Sequence, residues 1–373
     1  MVRSRPECRP ESSLPEKHGE HLYVRMGSLT PLIGMVHLMA FCGQGRHCRR
    51  PTCAAIGFSS MTSRLVLTIL LAALAAGSAQ AANLSDASVR QRIDPAFRVE
   101  VNGYCYTWDN IGRCVLPGET LRLATPGYST HSGWVASAGE LLEKGSQTLW
   151  VAPADPGLYP LIATSGSVTK HVNVFVMIPY SSLKNGYLKG VRIGRYPSST
   201  PFPNFTKPRG FIEVTPDNID TKLSDRYTLR DLASRQPDVF PRYTVLREEI
   251  LVKLELFTDL VRSKGFNFDK FTIISGYRSP FYNQRNRSGR NSAHVYGGAA
   301  DIFVDCNGDG HMDDLNHDGA VNRRDSKLLA GYVDELEAQH PEIVGGCGWY
   351  SRSYSRGPFI HVDVRGKPSR WHQ

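Results

Sequence analysis

One ten-residue stretch, residues 292–301, constrains this chain more than any other. It reads Ser-Ala-His-Val-Tyr-Gly-Gly-Ala-Ala-Asp and places an imidazole, His294, and a carboxylate, Asp301, around two glycines and two alanines. Such small residues let the backbone come close to its neighbours, so two short side chains can close on one cation. Neutral imidazole nitrogen and carboxylate oxygen are both good zinc ligands. The stretch therefore predicts a metal site.

A third ligand is expected, because catalytic zinc usually takes three protein ligands and keeps a fourth position for water. His361 is the strongest remaining candidate. It lies in Pro-Phe-Ile-His-Val-Asp-Val-Arg, where β-branched and aromatic residues alternate with polar ones, a pattern that predicts a strand. The sequence therefore predicts zinc bound to His294, Asp301 and His361.

The same stretch resembles the S-x-H-x-x-G-x-A-x-D signature of the LAS-type zinc peptidases. The residues that fit it are Ser292, His294, Gly297, Ala299 and Asp301. Residues 275–280, Ser-Gly-Tyr-Arg-Ser-Pro, are similar to the segment that precedes the signature in that family. His-Val-Asp at residues 361–363 resembles the M15 branch, which includes murein endopeptidases of the periplasm. The resemblance covers residues 210–371 and implies a C-terminal α+β zinc domain of the hedgehog/D,D-peptidase type.

The resemblance implies a zinc-dependent metallopeptidase that hydrolyses peptidoglycan stem peptides or cross-links, as a D,D-carboxypeptidase or an endopeptidase. Arg278 is similar to the family arginine near the substrate, where a guanidinium suits a peptide carboxylate or carbonyl; a surface arginine after a turn is the alternative. Tyr277, Tyr350 and Tyr354 are candidate oxyanion donors, although Tyr350 and Tyr354 fit packing roles equally well.

The general base departs from the family pattern. Some M15 relatives have a glutamate three residues before the last histidine, and here that position is Pro358. Asp363 is the nearest remaining carboxylate and shares a strand face with His361, so it is the candidate base; orienting a ligand is its alternative role. Pro358 favours a second function, a catalytically inactive wall-binding protein that keeps the metal. The complete ligand set and Arg278 favour the hydrolase.

An apolar run predicts export. Residues 61–81 combine a basic start, a short apolar run and a small-residue end, which is typical of a signal peptide cleaved after Ala81. We expect a periplasmic or secreted protein that is not an integral membrane protein after cleavage. Residues 1–60 precede the signal and are interpreted as a mis-assigned upstream extension, with Met61 as the true start. A cytoplasmic extension on an anchored protein is the alternative, disfavoured by the shortness of the run.

Cleavage changes the charge and the cysteine count. Residues 1–81 hold nine of the 44 basic and four of the 35 acidic residues, which leaves 35 against 31 and a formal net charge of +4. That balance suits an anionic cell wall and gives no case for nucleic acid.

Four cysteines remain after cleavage, and an even number in an exported protein suggests disulfides. Three connectivities are open; the favoured one joins Cys105 to Cys114 and Cys306 to Cys347, because each pair lies within one predicted domain. A zinc site made from these cysteines is the alternative, but no C-x-x-C spacing supports it.

The predicted domains follow from the positions of Gly and Pro residues and from the spacing of apolar residues. Short strands between Gly and Pro turns predict an all-β immunoglobulin-like sandwich over residues 82–180. A proline-rich run predicts a stiff linker over 181–209. The peptidase-like domain covers 210–373, with amphipathic helices over 244–264 and 324–339 and a strand over 270–275.

The residues that follow Asp301 predict calcium. Between 305 and 325 an acidic insertion supplies oxygen ligands at alternate positions and a glycine for the sharp turn. Positions 1, 3, 5, 7, 9 and 12 of the loop are Asp314, Asn316, Asp318, Ala320, Asn322 and Asp325. A second, overlapping loop begins with Asp305, Asn307 and Asp309. Aspartate at position 12 resembles a dockerin-type repeat; a solvated acidic turn is the alternative. A bound cation here would stiffen the strand that carries Asp301.

Overall fold

A computed structural model describes most of the chain after residue 96. The described residues are 97–126, 132–144, 147–234, 240–286, 288–353 and 357–373. They all belong to one compact unit. The predicted signal peptide, 61–81, and the predicted extension, 1–60, lie outside them. In the described part of the chain, no helix is long and apolar enough to cross a membrane.

The described chain is mostly β-sheet with few helices. The strands before residue 180 are β1 (Val99–Val101), β2 (Tyr104–Tyr106), β3 (Asn110–Val115), β4 (Thr120–Ala124), β5 (Ser132–Ala136), β6 (Glu140–Lys144), β7 (Gln147–Val151), β8 (Gly157–Ser165), β9 (Val168–Val176) and β10 (Ile178–Pro179). The later strands are β11 (Tyr187–Leu188), β12 (Val191–Arg192), β13 (Gly210–Val214), β14 (Arg242–Thr244), β15 (Thr272–Ser275), β16 (Ala299–Phe303), β17 (Gly346–Ser353), β18 (Gly357–Asp363) and β19 (Ser369–His372). The α-helices are α1 (Leu229–Leu232), α2 (Glu249–Ser263), α3 (Pro280–Arg285) and α4 (Arg323–Gln339). Short 3-10 turns cover Tyr180–Ser182, Ala293–Tyr296 and Pro341–Ile343.

The first region is all-β, as predicted. It forms a five-stranded sheet in the order β2-β1-β4-β7-β6 and a four-stranded sheet in the order β3-β9-β8-β5. The alternation of apolar and polar residues along β4 and β9 buries one face of each strand, which is the expected behaviour of half-buried strands. Trp150 and Val172 lie fully buried in the core. The immunoglobulin-like type of this region remains a prediction.

The proline-rich segment, residues 181–209, packs against its neighbours. Its strands β11 and β12 form a small hairpin, and Leu188, Ile193 and Phe205 are buried in the core. The Phe205 ring stacks on Tyr296, at 5.3 Å between centroids, so the segment touches the residues around the predicted metal site. The domain boundaries of the sequence analysis stay predictions.

The second region is mixed, with helices beside a sheet. Its five strands lie in the order β15-β16-β18-β17-β19, and α4 packs on β17 and β18. Helix α4 and strand β15 lie where the sequence predicts them. Helix α2 begins at Glu249 rather than near residue 244, because residues 242–244 pair with β13 as a strand. Gly265 ends that helical segment with φ +95°, the conformation that glycine adopts most easily.

The prediction of a Cys105–Cys114 disulfide is wrong, because both residues are free thiols. Cys105 lies on β2 and Cys114 on β3, which belong to different sheets. The backbone N–H of Cys114 donates to Oε1 of Glu248 at 2.7 Å, so this strand faces helix α2. Local sequence distance did not reveal that the chain changes sheets between the two cysteines.

The predicted Cys306–Cys347 disulfide also does not form, since Cys347 is a free thiol. Cys347 lies opposite Val362, which lies opposite Ala300. Cys306 comes six residues after Ala300, past the end of β16, whereas the Cα atoms of a disulfide lie within about 7 Å. Burial raises the pKa of the Cys347 thiol to about 12, so the group stays protonated inside the core.

A buried ammonium group ties helices α2 and α4 to the strand that carries His361. Lys253 is fully buried and pairs with the carboxylate of Glu337, which is also buried. Its Nζ also donates to the carbonyls of Ile343 at 3.1 Å and Asp363 at 2.8 Å. Every N–H bond of the ammonium therefore has an acceptor, as a buried charge requires.

We predict that Lys253→Met lowers the free energy of unfolding by about 3 kcal/mol, because it removes the buried positive charge that pairs with Glu337 and takes this donor from two buried carbonyls. Lys264→Met is the matched control, since Lys264 pairs with Glu335 where both side chains are about a third exposed, and it should cost less than about 1 kcal/mol. Urea denaturation of both variants measures the difference. Equal midpoints would contradict the prediction.

Candidate metal centre

One row of cross-strand partners crosses the second sheet from edge to edge. Ser275 lies opposite Asp301, Asp301 opposite His361, His361 opposite Gly348, and Gly348 opposite Trp371. Directly opposite residues in neighbouring strands present their side chains on the same face. The row therefore brings a hydroxyl, a carboxylate, an imidazole and an indole together, although they come from positions between 275 and 371 of the sequence.

His294 reaches this row from the turn Ala293–Tyr296, which ends at Gly297 with φ +69°. A Cβ atom on Gly297 would lie 2.2 Å from the carbonyl oxygen of Val245, and one on Gly298 would lie 2.7 Å from the ring of Phe205. Both glycines are needed because the turn is pressed against these neighbours. This is the physical reason for the small residues in the sequence.

The three predicted ligands meet at one point. Nε2 of His294 lies 3.1 Å from Oδ1 of Asp301 and 3.1 Å from Nδ1 of His361, and the last atom lies 3.0 Å from the same carboxylate oxygen. All three side chains are buried. Among the described residues, this is the group of histidine, cysteine and carboxylate side chains that could hold a metal ion. Ligand bonds near 2.0 Å in a tetrahedron put ligand atoms about 3.3 Å apart, so the spacing fits.

Hydrogen bonds on the outer side of each imidazole set its tautomer. Nδ1 of His294 donates to the carbonyl of Gly276 at 2.7 Å, and Nε2 of His361 donates to Oδ2 of Asp363 at 3.0 Å. The inner nitrogens are then acceptors, and they face an acceptor oxygen of Asp301. Three acceptors around one point repel one another unless a positive charge lies between them. The donor set therefore fits a divalent cation.

The electrostatics favour the metal-binding forms of His294 and Asp301, but the protonated form of His361. Burial lowers the pKa of His294. Burial alone would raise the pKa of Asp301, but the charges of His294 and Arg278 hold it well below its ordinary value. For His361, burial lowers the pKa, yet hydrogen bonds to Asp301 and Asp363 outweigh it and raise the pKa. A raised pKa favours a proton on His361 in the absence of metal, so a metal that binds there would have to displace that proton.

Asp363, the candidate base, is fully engaged behind the centre. Its carboxylate is fully buried and accepts from Nε2 of His361, from the backbone N–H of Gly346 at 2.8 Å and from the guanidinium of Arg365. These donors hold the pKa of Asp363 far below its ordinary value, although burial acts in the opposite direction. A carboxylate with this many donors is a poor proton acceptor. These contacts favour the alternative role of Asp363, the orientation of His361, and its role as base stays a prediction.

Arg278 contacts Asp301, one of the three predicted metal ligands, directly. Its Nη2 donates to Oδ2 of Asp301, and its Nε donates to Oγ of Ser275 at 2.7 Å. The guanidinium thus fixes the carboxylate so that Oδ1 faces the two histidines. Arg278 is therefore not a simple surface residue, and among the described residues its Nη1 has no partner.

An aromatic pair closes the other end of the row. Nε1 of Trp371 donates to Oη of Tyr350 at 2.7 Å, and the Tyr350 ring stacks on Phe359 at 4.5 Å. The Trp371 ring lies 5.3 Å from the His361 ring. It occupies the space above Gly348, where a Cβ atom would lie 2.3 Å from the indole nitrogen. Indole only donates, so the phenol proton of Tyr350 is left free to point elsewhere.

Of the two other candidate tyrosines, only Tyr277 can be described. Tyr277 is buried, and its hydroxyl lies 2.7 Å from the hydroxyl of Tyr196. Tyr354 lies outside the described residues. The sequence analysis did not single out Trp371, Gly348 or Arg365. A signal for Gly348 and Trp371 exists only in the register of β17, β18 and β19, which no local pattern specifies.

The acidic insertion forms two loops with one shared hydrogen-bond pattern. In the first, the carboxylate of Asp305 accepts from the backbone N–H groups of Asp309 at 3.1 Å and Gly310 at 3.0 Å. In the second, Asp314 accepts from Asp318 at 3.3 Å and Gly319 at 2.7 Å.

The remaining predicted calcium ligands have local roles in the same loops. Oδ1 of Asn307 accepts from Asp309, and Oδ1 of Asn316 accepts from Asp318. The carbonyl of Ala320 accepts from the side-chain amide of Asn322 at 2.8 Å. Asp325 is buried and accepts from Asn322 and Leu315, so it caps helix α4 and closes the second loop.

Comparison with known proteins does not show which family this chain belongs to. No family model, no curated protein and no solved structure matches this chain. Its interpretation therefore rests on the residues and on the geometry described above.

We predict that Asp363→Asn weakens the affinity for a divalent metal by about 10- to 100-fold, because the amide cannot hold the imidazole of His361 as the buried carboxylate does. Competition with a chromophoric chelator measures the affinity. Asp334→Asn is the control, since Asp334 binds Arg370 at the surface and should leave the affinity unchanged. Equal affinities of the two variants would show that Asp363 does not orient the ligand.

Proposed function

We propose that the protein is an exported zinc metallopeptidase that hydrolyses peptidoglycan stem peptides or cross-links. The observation that carries the proposal is the buried His294–Asp301–His361 centre, whose outer hydrogen bonds turn three acceptors towards one point. The resemblance to the LAS-type and M15 peptidases supports the choice of zinc and of substrate. Export to the periplasm or beyond rests on the predicted signal peptide.

The chain's own residues suit the hydrolysis of an amide. A bound zinc ion would supply Lewis acidity that lowers the pKa of water and polarises the scissile carbonyl. Asp363 and the carbonyl of Gly276 hold the two imidazoles in the tautomers that such an ion requires. Arg278 fixes Asp301 and keeps one nitrogen, Nη1, for a substrate oxygen.

Tyr350 suits the stabilisation of negative charge on the substrate oxygen. Its Oη accepts the indole N–H of Trp371, so its own proton can be donated to an oxygen that gains charge during the reaction. Burial raises the pKa of Tyr350, which keeps the phenol protonated at neutral pH. A fixed donor of this kind typically contributes a factor of about 10² to 10³ in rate.

A second function is favoured by one specific observation. Asp363 is committed to His361 and Arg365, and Pro358 replaces the family glutamate, so neither position supplies a base. A catalytically inactive protein that binds the cell wall and keeps the metal for structural reasons would need no base. The two functions make different predictions for the same substrate.

We expect the zinc-loaded protein to release new fragments from purified muropeptides, detected by mass spectrometry. His361→Ala should release no metal-dependent fragment, because it removes a ligand. Tyr350→Phe should lower kcat by about 10²-fold and leave KM unchanged, because its hydroxyl acts only on the developing charge.

Tyr332→Phe is the control for loss of a phenol hydroxyl, since Tyr332 lies on helix α4 away from the row. Digestion that is absent from the zinc-loaded protein, with binding to peptidoglycan retained, would leave the wall-binding function. If His361→Ala digested muropeptides as well as the unchanged protein does, the digestion would not depend on the metal, which would contradict the zinc hydrolase. It would also contradict an inactive wall-binding protein.

We also propose that the acidic insertion binds calcium. The two loops repeat one geometry, and Asp325 joins the second loop to helix α4. The first loop begins four residues after Asp301, so an ion there would hold the chain that leaves the metal centre. Calcium should therefore raise the melting temperature by several degrees relative to excess EGTA, in zinc-loaded protein. Identical melting temperatures would remove the proposal.

A further inference from the structure

A cleft lined by arginines lies beside the segment that carries Arg278. Its volume is about 640 Å³. Arg192 and Arg195 line it from the proline-rich segment, and Arg290 lines it from the chain that leads to His294. Phe281 and Asn283 of helix α3 form the wall between them. We call this the arginine cleft.

The sequence around the arginine cleft contains no acidic residue. Residues 181–212 hold six lysines and arginines without one aspartate or glutamate, and residues 270–300 hold five, again without one. Consistent with this, Arg192, Arg195 and Arg290 form no ion pair with any described residue. Three like charges in one cleft repel one another and destabilise the fold slightly. An anion that enters the cleft would remove that repulsion.

Specific contacts hold the side chains and the backbone of the cleft in place. The guanidinium of Arg192 lies 4.2 Å from the centre of the Phe281 ring, and stacking of this kind orients the fork while leaving its N–H edges free. The backbone N–H of Phe281 donates to the carbonyl of Ile193 at 2.9 Å. Gly194 makes this approach possible, since a Cβ atom there would lie 2.6 Å from the nitrogen of Phe281.

Asn283 adds an acceptor to the cleft. It is only 2% exposed, and its side-chain nitrogen donates to the carbonyl of Gly289 at 3.0 Å, which holds the loop that carries Arg290. Its Oδ1 has no hydrogen-bond partner among the described residues. A buried acceptor without a donor is costly, and a ligand N–H would satisfy it. A peptide has such a donor, whereas a phosphate polymer does not.

The cleft adjoins the metal centre through the chain itself. The hydroxyl of Tyr196 lies 2.7 Å from that of Tyr277, and the next residue, Arg278, contacts Asp301. Four residues after the last arginine of the cleft, the chain reaches His294. A peptide that occupies the cleft therefore contacts segments that lead within a few residues to Arg278 and His294.

We propose that the arginine cleft binds acidic peptide, with Arg192, Arg195 and Arg290 taking carboxylates and Asn283 accepting a peptide N–H. The preference for acidic peptide follows from the cleft alone. Its assignment to peptidoglycan stem peptides, as the subsite that positions the chain for cleavage, rests on the proposed function.

Fluorescence anisotropy on the full-length protein, freed of metal by a chelator, tests the binding step without hydrolysis. The probe is a labelled stem tetrapeptide with free carboxylates, compared with the same peptide after amidation of its carboxylates. The triple variant R192Q/R195Q/R290Q should raise the Kd of the acidic probe by at least about tenfold. Amidation of the probe should weaken its binding to the unchanged protein to a similar extent.

The matched control is R122Q/K144Q/K327Q, which removes the same charge from exposed positions on β4, β6 and α4 and should change the Kd less than about twofold. Raising the salt from about 50 to about 300 mM should weaken binding to the unchanged protein more than binding to the triple variant. Equal Kd values for the two triple variants, or tighter binding of polyphosphate than of the acidic peptide, would overturn the proposal.

Turnover separates this proposal from the proposed function. Cleavage of muropeptides with the same KM in both triple variants would contradict the subsite and leave the hydrolase intact. Binding of the acidic probe that is lost in R192Q/R195Q/R290Q, without any cleavage by the zinc-loaded protein, would support the cleft and contradict the hydrolase.

Discussion

The structure around the metal centre depends on two hydrogen bonds that face away from it. One runs from His294 to the carbonyl of Gly276 and the other from His361 to the carboxylate of Asp363. Each bond takes the proton of its imidazole to the outer side and leaves the inner nitrogen as an acceptor. Without them, the imidazoles could satisfy Asp301 by donating to it, and the three side chains would no longer suit a cation.

The support of Asp363 extends this constraint into the fold. Arg365 neutralises its charge, Gly346 donates to it from the neighbouring strand, and Lys253 binds its carbonyl from helix α2. Gly346 cannot be replaced by a larger residue, because a Cβ atom there would lie 2.5 Å from Oδ2 of Asp363. The orientation of one imidazole therefore depends on contacts from one helix and two strands.

The ligands could be predicted from sequence, whereas the residues that support them could not. The small residues between His294 and Asp301 point to these two side chains. The alternation of apolar and polar residues around His361 points to the third. Asp363 was noticed because it shares a strand face with His361, but its role depends on Arg365 and Gly346, whose contacts arise from close packing. Trp371 becomes a neighbour of His361 only through the order of β18, β17 and β19. The disulfide predictions failed for the same reason, since sequence distance does not tell which sheet a strand joins.

The position of β19 at the border of its sheet has a dynamic consequence. Strands β16 and β18, which carry Asp301 and His361, have a neighbour on both sides, while β19 is hydrogen-bonded to β17 alone. Strands with one neighbour fray more readily than enclosed ones. The wall formed by Trp371 can thus retreat from the metal ligands while their spacing is preserved. Asp301 and His361 therefore belong to the enclosed part of the sheet, whereas the Trp371 wall beside them belongs to its more readily opened border.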